Sequence, residues 1–487
     1  MRLARRLLAG VLLCLCGAGA AAPADDPAWY VISTVDGTPI GRAFHDVVVK
    51  PNGRETVETR EISLVERHHG AIQLSSRTVV TEDASGRTLS ISISSRDGKS
   101  QVRTDARIDG AFAEIVRQTG SDRRITRIAL PPGVRFDDGD GLLPAWDPVA
   151  KPQLEFTNLN VGAATVERVV LEPFPRTAPD PQGGIALLRR HYDGGELRSV
   201  AKLVLDRAHH IIATTQPMFG TGIIFRRTDR DTALRPYAPA SIAFDLSIRS
   251  PFAVPPGALQ GHIRYRFTFR DGVDFVPPRT PEQRVTADGD AVILDICATC
   301  GSSLSPALAD GDAGLADARL PTAWLQSDDP QLISVAGPVS RMRVSDATKM
   351  TMLAKRARDL LPNVDYEGHY SALEAIRRHA GDCTEDAVVL AALGRSAGIP
   401  TRVVNGLVYV GVHYHGVRNA FLPHSWTLAW VDGRWRSFDM TLGSFDSTHI
   451  ALTIGNGDAR SVLAASELAS LLQLETMAEV RARPTKP

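Results

Sequence analysis

The first 110 residues carry a turn signal every 12 to 17 residues, and this spacing limits the folds that the chain can adopt. Each signal is a dipeptide ending in glycine between runs rich in Val, Ile and Thr: Asp36-Gly37, Asn52-Gly53, His69-Gly70, Ser85-Gly86, Asp97-Gly98 and Asp109-Gly110. Short loops of this kind join neighbouring strands of an antiparallel sheet. Residues 89–94 alternate Leu or Ile with Ser, which is typical of a strand with one buried face. We therefore predict an antiparallel meander over residues 29 to about 108.

Two more strand-rich portions follow. The first covers residues 154 to about 225, and the intervening residues 131–144 are rich in Pro, Asp and Gly. That composition predicts a loop or a crossing between two sheets. The second portion, residues 240–300, contains three strand-like runs separated by prolines. We predict a connecting β module there.

Net charge argues against a nucleic-acid partner. The chain has 55 Lys plus Arg residues and 55 Asp plus Glu residues, so its formal net charge is zero. A protein without a net positive charge has no bulk field that would draw it to nucleic acid or to anionic lipid. Its 487 residues also exceed one compact core, and a prior of roughly 150 residues per domain predicts two or three domains.

The N-terminus has the layout of a secretory signal. Arg2, Arg5 and Arg6 precede an apolar run at residues 7–16, which is followed by small residues at 17–22. This apolar run is too short to span a bilayer. We therefore predict cleavage near residue 20, a periplasmic or secreted mature protein, and no stable membrane anchor after cleavage.

Three cysteines remain after the predicted cleavage. Cys297 and Cys300 form a CxxC pattern, for which we favour a structural disulfide because the following residues make a poor helix start. A redox pair or a zinc site remains an alternative, and His413 and His415 are the obvious further zinc ligands. Cys383 is left unpaired in an oxidising compartment, which requires a reason. We predict no bound metal and no cofactor.

Local signals place Cys383 in the first turn of a helix. Asp382 has the position of an N-cap, and Glu385 follows three residues later, as in a capping box. Free backbone N–H groups at a helix start favour a thiolate and can stabilise an oxyanion. Asp382, Glu385 and Asp386 oppose this effect, because their negative charges would raise the pKa of the thiol.

A hairpin brings a histidine and an aspartate together downstream. Asp432-Gly433 is a strong two-residue turn signal between two strand-like runs, 424–431 and 434–439. If Val431 pairs with Arg434, then His424 and Asp439 become diagonal neighbours on one face of the hairpin. Cys383, His424 and Asp439 are thus candidates for nucleophile, general base and orienting carboxylate.

These motifs resemble the transglutaminase-like superfamily, which has a papain-like core. The resemblance spans about residues 320–455 and is carried by the segments at 372–376, 381–385, 398–406, 424–426, 430–435 and 438–441. It implies a cysteine at a helix start against a sheet that bears histidine and aspartate, with Cys383, His424 and Asp439 as catalytic residues. Asp386 and Met440 depart from the usual family residues, which are often histidine and proline.

The predicted fold class is α+β, with an antiparallel β-rich portion followed by a transglutaminase-like domain. We predict five segments: a signal peptide (1–20), a β-rich domain (21–240), a connecting β module with the CxxC pattern (241–320), a catalytic domain (321–455) and a C-terminal tail (456–487). The expected activity is acyl transfer or hydrolysis at amide bonds of a protein or peptide. The alternative is a non-catalytic binding or scaffolding protein whose β-rich portion holds a cell-envelope ligand.

Overall fold

The structure is a computed structural model of the chain. It describes residues 27–66, 70–174, 185–217, 222–237, 247–300, 312–362, 368–412 and 417–480. These residues form two compact units, and the boundary between the units lies between residues 245 and 246. None of the helices in the described ranges is long and apolar enough to cross a membrane. The predicted signal peptide lies outside the described residues.

The N-terminal unit is built on one antiparallel sheet of fourteen strands. In chain order these are β1 (Ala28–Thr34), β2 (Pro39–Lys50), β3 (Gly53–Glu66), β4 (Gly70–Asp83), β5 (Thr88–Asp97), β6 (Ser100–Asp109), β7 (Phe112–Thr119), β8 (Asp122–Ala129), β9 (Leu154–Asn160), β10 (Thr165–Pro173), β11 (Ile185–Asp193), β12 (Glu196–Leu205), β13 (Ile211–Gln216) and β14 (Ile223–Thr228). A short helix, α1 (Arg230–Ala233), follows. The predicted meander is present, and Gly37, Gly86, Gly98 and Gly110 adopt the positive φ angles that such turns require.

The two strand-rich portions share one sheet, so of the two predicted alternatives for residues 131–144, a loop or a crossing between two sheets, the crossing is wrong. Strand β1 pairs with both β2 and β14, and the sheet runs from β8 through β1 and β14 to β9. Residues 130–153 therefore connect its two edge strands. Ile93 and Ile115 near one edge share a buried cluster with Leu159 of β9, so the sheet curves until strands from both edges contact each other. Strand patterns predict strands but not their partners, which is why this pairing was missed.

The C-terminal unit contains two antiparallel sheets and most of the helices. Its elements are β15 (Ile248–Arg249), α2 (Pro256–Leu259), β16 (His262–Phe269), β17 (Gln283–Asp288), β18 (Ala291–Cys297), α3 (Asp312–Asp317), α4 (Pro330–Ser340), α5 (Asp346–Leu360), α6 (Ala372–Arg378), α7 (Cys383–Ser396), β19 (Thr401–Val410), β20 (Ala420–Val431), β21 (Arg434–Phe438), β22 (Ile450–Gly455), α8 (Ala459–Leu471) and β23 (Leu472–Glu479). One sheet has the order β15-β20-β19-β22 with β21 on β20, and the other has the order β17-β18-β16-β23. The predicted α+β class is confirmed.

Two predicted boundaries differ from this arrangement. Strands β16 to β18, expected in a separate connecting module, lie in the same compact unit as α7. The expected tail contains α8 and β23, and β23 pairs along the whole of β16. The edge of a strand exposes unpaired N–H and C=O groups, and β23 pairs with those of β16. The two strands are about two hundred residues apart in the sequence, so local patterns do not reveal their pairing.

Cys297 and Cys300 form the favoured disulfide. Cys297 closes β18, and its backbone N–H donates to the carbonyl oxygen of Glu282. The disulfide bonds the two sulfurs to each other. The two histidines of the zinc alternative, His413 and His415, lie outside the described residues.

Helix α7 is buried on all sides. Its apolar residues, Val388 to Leu393, share one core with residues of α4, α5 and α6 and with Ala429 of β20. The Thr427 hydroxyl of β20 also donates to the carbonyl oxygen of Ala387 at 3.0 Å. Burial on every face fixes the position of the helix start relative to the sheet.

Candidate active site

The start of α7 has the predicted capping box. The Asp382 carboxylate accepts from the backbone N–H of Thr384 at 2.7 Å, and the Glu385 carboxylate accepts from that of Asp382 at 3.0 Å. Cys383, the first residue of α7, is buried and is not part of a disulfide. These two carboxylates fix the first turn of α7. The Cys383 thiol therefore lies at a helix start with a defined position.

The hairpin register also agrees with the sequence prediction. Val431 pairs with Arg434, and Thr427 pairs with Phe438. His424 and Asp439 consequently meet, with His424 Nε2 lying 2.7 Å from Asp439 Oδ2. The other oxygen of Asp439 accepts from the backbone N–H of Leu442 at 2.9 Å. Both residues are buried, so this hydrogen bond is shielded from water.

Cys383 faces the same strand as the predicted histidine. The backbone N–H of Ser425, the residue that follows His424, acts on the Cys383 sulfur and lowers the pKa of the thiol. The contact between Thr427 and Ala387 lies one helical turn further along α7. The structure thus brings His424 and Asp439 into direct contact and brings Cys383 to the adjoining residue of β20.

The environment of Cys383 disfavours the thiolate. Burial raises the pKa of the thiol well above its ordinary value, and the Asp382 charge raises it further. The Ser425 N–H acts in the opposite direction, whereas Asp386 and Glu385 again raise the pKa. The isolated thiol is therefore protonated at neutral pH and needs a base close by.

A second histidine contacts the same aspartate, and sequence reasoning missed it. His449 Nε2 lies 2.9 Å from Asp439 Oδ2, and His449 Nδ1 lies 3.0 Å from Asp446 Oδ1. Burial alone would lower the pKa of His449, but the two carboxylates raise it to about 9. Burial alone would also raise the pKa of Asp439, but the two imidazoles hold it well below its ordinary value. Asp446 and His449 are three residues apart, and this spacing alone is a weak signal of a functional site. Only the pairing of β22 with β19 shows that His449 lies beside Asp439.

The geometry of the His424, Asp439 and His449 cluster suits a protonated His449 ring. The three contacting atoms lie within 4.8 Å of one another, a spacing that a divalent ion could also use. A metal, however, requires a lone pair on each nitrogen, whereas His449 faces a carboxylate on both sides and its raised pKa favours the doubly protonated ring. We interpret the cluster as a hydrogen-bond network. The group formed by His262, Cys297 and Cys300 has both of its sulfurs in the disulfide.

Asp386 lies one helical turn after Cys383 and contacts Thr441, which lies two residues after Asp439. Its Oδ2 accepts from the Thr441 hydroxyl at 2.8 Å. Burial raises the pKa of Asp386 to about 7, and Glu385 and Asp439 contribute to this increase while Thr441 opposes it. This residue, which departs from the family pattern, therefore keeps a proton to a higher pH than an ordinary aspartate.

Replacing Asp386 by asparagine is expected to stabilise the protein above pH 7. An unfolded aspartate titrates near pH 4, whereas the folded pKa is about 7. The folded state holds the extra proton between these values, so the wild type loses stability as pH rises through this window. Asparagine cannot ionise, and it can still accept from Thr441. We therefore compare the unfolding free energy of Asp386→Asn with that of the wild type at two pH values. The difference in favour of the variant should be larger at pH 8 than at pH 4.5 by about 2 to 4 kcal/mol.

Denaturant unfolding at the two pH values measures this difference. Asp432→Asn is the matched control, because Asp432 lies exposed in the hairpin turn, where asparagine is equally suited. The control should show no such gain. Equal differences for both variants at both pH values would contradict the prediction.

One comparison with known proteins covers this part of the chain. Residues 340–440, which contain Cys383, His424 and Asp439, match the family model of the transglutaminase-like superfamily. The predicted resemblance is confirmed for this part of the chain. His449 lies beyond the matched residues. No curated protein matches the chain.

The chain is also weakly similar to several solved structures. A proposed cysteine protease from Cytophaga hutchinsonii is 15% identical, with a TM-score of 0.28 over 45% of this chain and 86% of that chain. A β-barrel-like protein of a domain of unknown function from Brucella abortus is 12% identical, with a TM-score of 0.34 over 42% of this chain and 95% of that chain. A proposed protease from Parabacteroides distasonis is 11% identical, with a TM-score of 0.21 over 83% of this chain and 68% of that chain. All three TM-scores are below 0.5, so none of them establishes a shared fold or activity.

Proposed function

Because residues 340–440 carry a transglutaminase-like region, we propose that the protein is a thiol enzyme that transfers or hydrolyses acyl groups at amide bonds. Its substrate is a protein or a peptide, and its catalytic residues are Cys383, His424 and Asp439. The hydrogen bond of 2.7 Å between His424 and Asp439, beside the cysteine at the start of α7, is the observation that carries this proposal.

The proposed reaction begins with proton transfer from Cys383 to His424. The hydrogen bond to Asp439 occupies His424 Nε2, which leaves Nδ1 to take the thiol proton. The sulfur then attacks the carbonyl carbon, and the backbone N–H of Cys383 at the start of α7 stabilises the oxyanion. His424 returns the proton to the leaving amine, so a thioester and a free amine result. Water or a second amine then releases the acyl group from sulfur.

Asp439 has two tasks in this scheme. It holds the imidazole in the tautomer that carries its proton on Nε2, and it stabilises the imidazolium that forms during attack. Its lowered pKa supports this role, because the carboxylate stays ionised throughout the pH range in which an amidase operates. The high pKa of the Cys383 thiol means that the histidine must supply the activation.

The proposal also covers location and partners. The signal-like N-terminus and the Cys297–Cys300 disulfide support export to the periplasm or the cell exterior. The N-terminal unit would bind a cell-envelope ligand or the substrate protein. The competing proposal is a binding or scaffolding protein that uses the same unit and has an inert thiol.

Alkylation of Cys383 by iodoacetamide distinguishes these proposals. We expect the wild-type rate to exceed that of His424→Gln by about a hundredfold at pH 7, because His424 supplies the base. Mass spectrometry locates the label, and Cys383→Ala serves as the blank. Equal rates for wild type and His424→Gln would contradict the triad.

A peptide library with amide side chains then identifies the acceptor. Release of ammonia or of a new carboxylate without added amine indicates hydrolysis, and incorporation of a labelled amine indicates transfer. Absence of both, together with slow alkylation, would support the binding protein instead.

A further inference from the structure

Asp439 Oδ2 is shared by two imidazole rings. It lies 2.7 Å from His424 Nε2 and 2.9 Å from His449 Nε2. The centroids of the two rings are 5.6 Å apart, and the rings are steeply inclined to each other. The proposed triad accounts for only one of these two contacts.

His449 is held from its other side by Asp446. Its Nδ1 lies 3.0 Å from Asp446 Oδ1 and 3.1 Å from the Asp446 carbonyl oxygen, and it also lies 3.2 Å from the Asp446 N–H. His449 Nδ1 thus faces two hydrogen-bond acceptors and one donor of Asp446. His449 is buried, with 1% of its surface exposed. Both ring nitrogens face carboxylate oxygens, which suits an imidazolium with two N–H donors.

A glycine allows β22 to bring His449 to this position. Gly406 of β19 pairs with His424 on one side and with Ala451 on the other. A Cβ atom at residue 406 would lie 1.9 Å from the carbonyl oxygen of Ile450. Only glycine permits such a close approach, and His449 directly precedes Ile450 at the start of β22.

We propose that His449, oriented by Asp446, is a positioning residue that aims the Asp439 carboxylate at His424 and moderates its charge. The inference rests on the proposed function of the triad. Two hydrogen bonds to Oδ2 restrict the rotation of Asp439, whose second oxygen accepts from the Leu442 N–H. The positive charge of His449 offsets part of the negative charge that Asp439 presents to His424.

Several other groups lie around His449. The charged or titratable ones are Asp439, Asp446 and His424, and the Tyr265 hydroxyl of β16 donates to the neighbouring Ser447 carbonyl oxygen. Phe445 and Trp426 pack their rings against His449. Thr448 donates to the Asp446 carboxylate through its backbone N–H and its hydroxyl. The His449 imidazole thus lies directly between the two carboxylates.

Removing the charge of His449 should change the pH dependence of the site. Glutamine can donate its amide N–H to Asp439, so His449→Gln keeps one hydrogen bond and loses the positive charge. The negative charge of Asp439 is then no longer offset beside the base, and the ascending limb of the alkylation rate of Cys383 moves to higher pH by about one unit. At the foot of the limb, near pH 6, the rate should fall about tenfold, whereas the plateau rate should change less than about threefold.

Leucine at residue 449 removes both the charge and the hydrogen bond. We expect His449→Leu to show the same upward shift and a plateau rate about a hundredfold lower, because Asp439 loses its orientation. Asp446→Asn leaves Asp439 as the one carboxylate in contact with His449, so its pH profile should lie between those of the wild type and His449→Gln. His210→Gln, a substitution in the N-terminal unit, is the matched control and should leave the pH profile unchanged.

The experiment measures the alkylation rate of Cys383 by iodoacetamide between pH 5 and 10 for each variant. A purely structural role would lower the unfolding free energy of His449→Gln without moving the limb, and that result would overturn the inference. If His424→Gln also alkylates like the wild type, the proposed function fails. If His424→Gln is slow but both His449 variants keep the wild-type profile, only the role of His449 fails.

Discussion

Cys383→Ala is expected to lower the acyl-transfer or hydrolysis rate by about 10⁴-fold or more. The substitution removes the sulfur that forms the thioester, while His424 and Asp439 keep their hydrogen bond. Cys383 is a small buried residue, so the fold should survive with a loss of about 1 kcal/mol in unfolding free energy. The measurement compares turnover of the best library peptide by wild type and variant at equal folded concentration.

Thr384→Ala is the control for this substitution. Thr384 is the next buried side chain in the first turn of α7, so its truncation disturbs the same helix start without touching the sulfur. We expect its turnover within about tenfold of the wild type. Full activity in Cys383→Ala, or equal losses in both variants, would contradict a covalent role for the cysteine.

Glu385→Ala is expected to produce the largest loss of stability, about 3 to 5 kcal/mol. The buried Glu385 carboxylate accepts from the backbone N–H of Asp382 at 3.0 Å and from that of Tyr370 at 3.1 Å. Its Oε1 also lies 3.6 Å from His369 Nδ1. Alanine would leave these buried donors without their acceptor and would release the start of α7.

The effect of Glu385 should depend on pH. Burial alone would raise its pKa, but His369 and the Asp382 N–H lower it below its ordinary value. A carboxyl group with a lowered folded pKa stabilises the protein above its unfolded pKa, and this contribution is lost as pH falls through the folded value. The difference between wild type and Glu385→Gln, which keeps an acceptor but no charge, should therefore shrink from pH 7 to acid. Denaturant unfolding that showed a constant difference would contradict this.

Local signals were sufficient for much of the site. The capping box places Cys383 at the start of α7, and the Asp432-Gly433 turn sets the register that joins His424 to Asp439. Each of these depends on residues within about twenty positions of one another, whose backbone geometry limits the alternatives. The α+β class also followed from strand and helix periodicity, and the family motifs agreed with residues 340–440.

Long-range pairing lay beyond those signals. Strand β1 joins β14 to make one sheet of two strand-rich portions, and β23 joins β16 across about two hundred residues. His449 reaches Asp439 because β22 pairs with β19 beside Gly406. A strand's sequence specifies which face is buried but does not specify its neighbour, since backbone hydrogen bonds are the same for every partner. The sequence by itself therefore determined that Cys383 begins a helix and that a hairpin brings His424 and Asp439 together. Only the tertiary structure decided that a second histidine, His449, shares that aspartate.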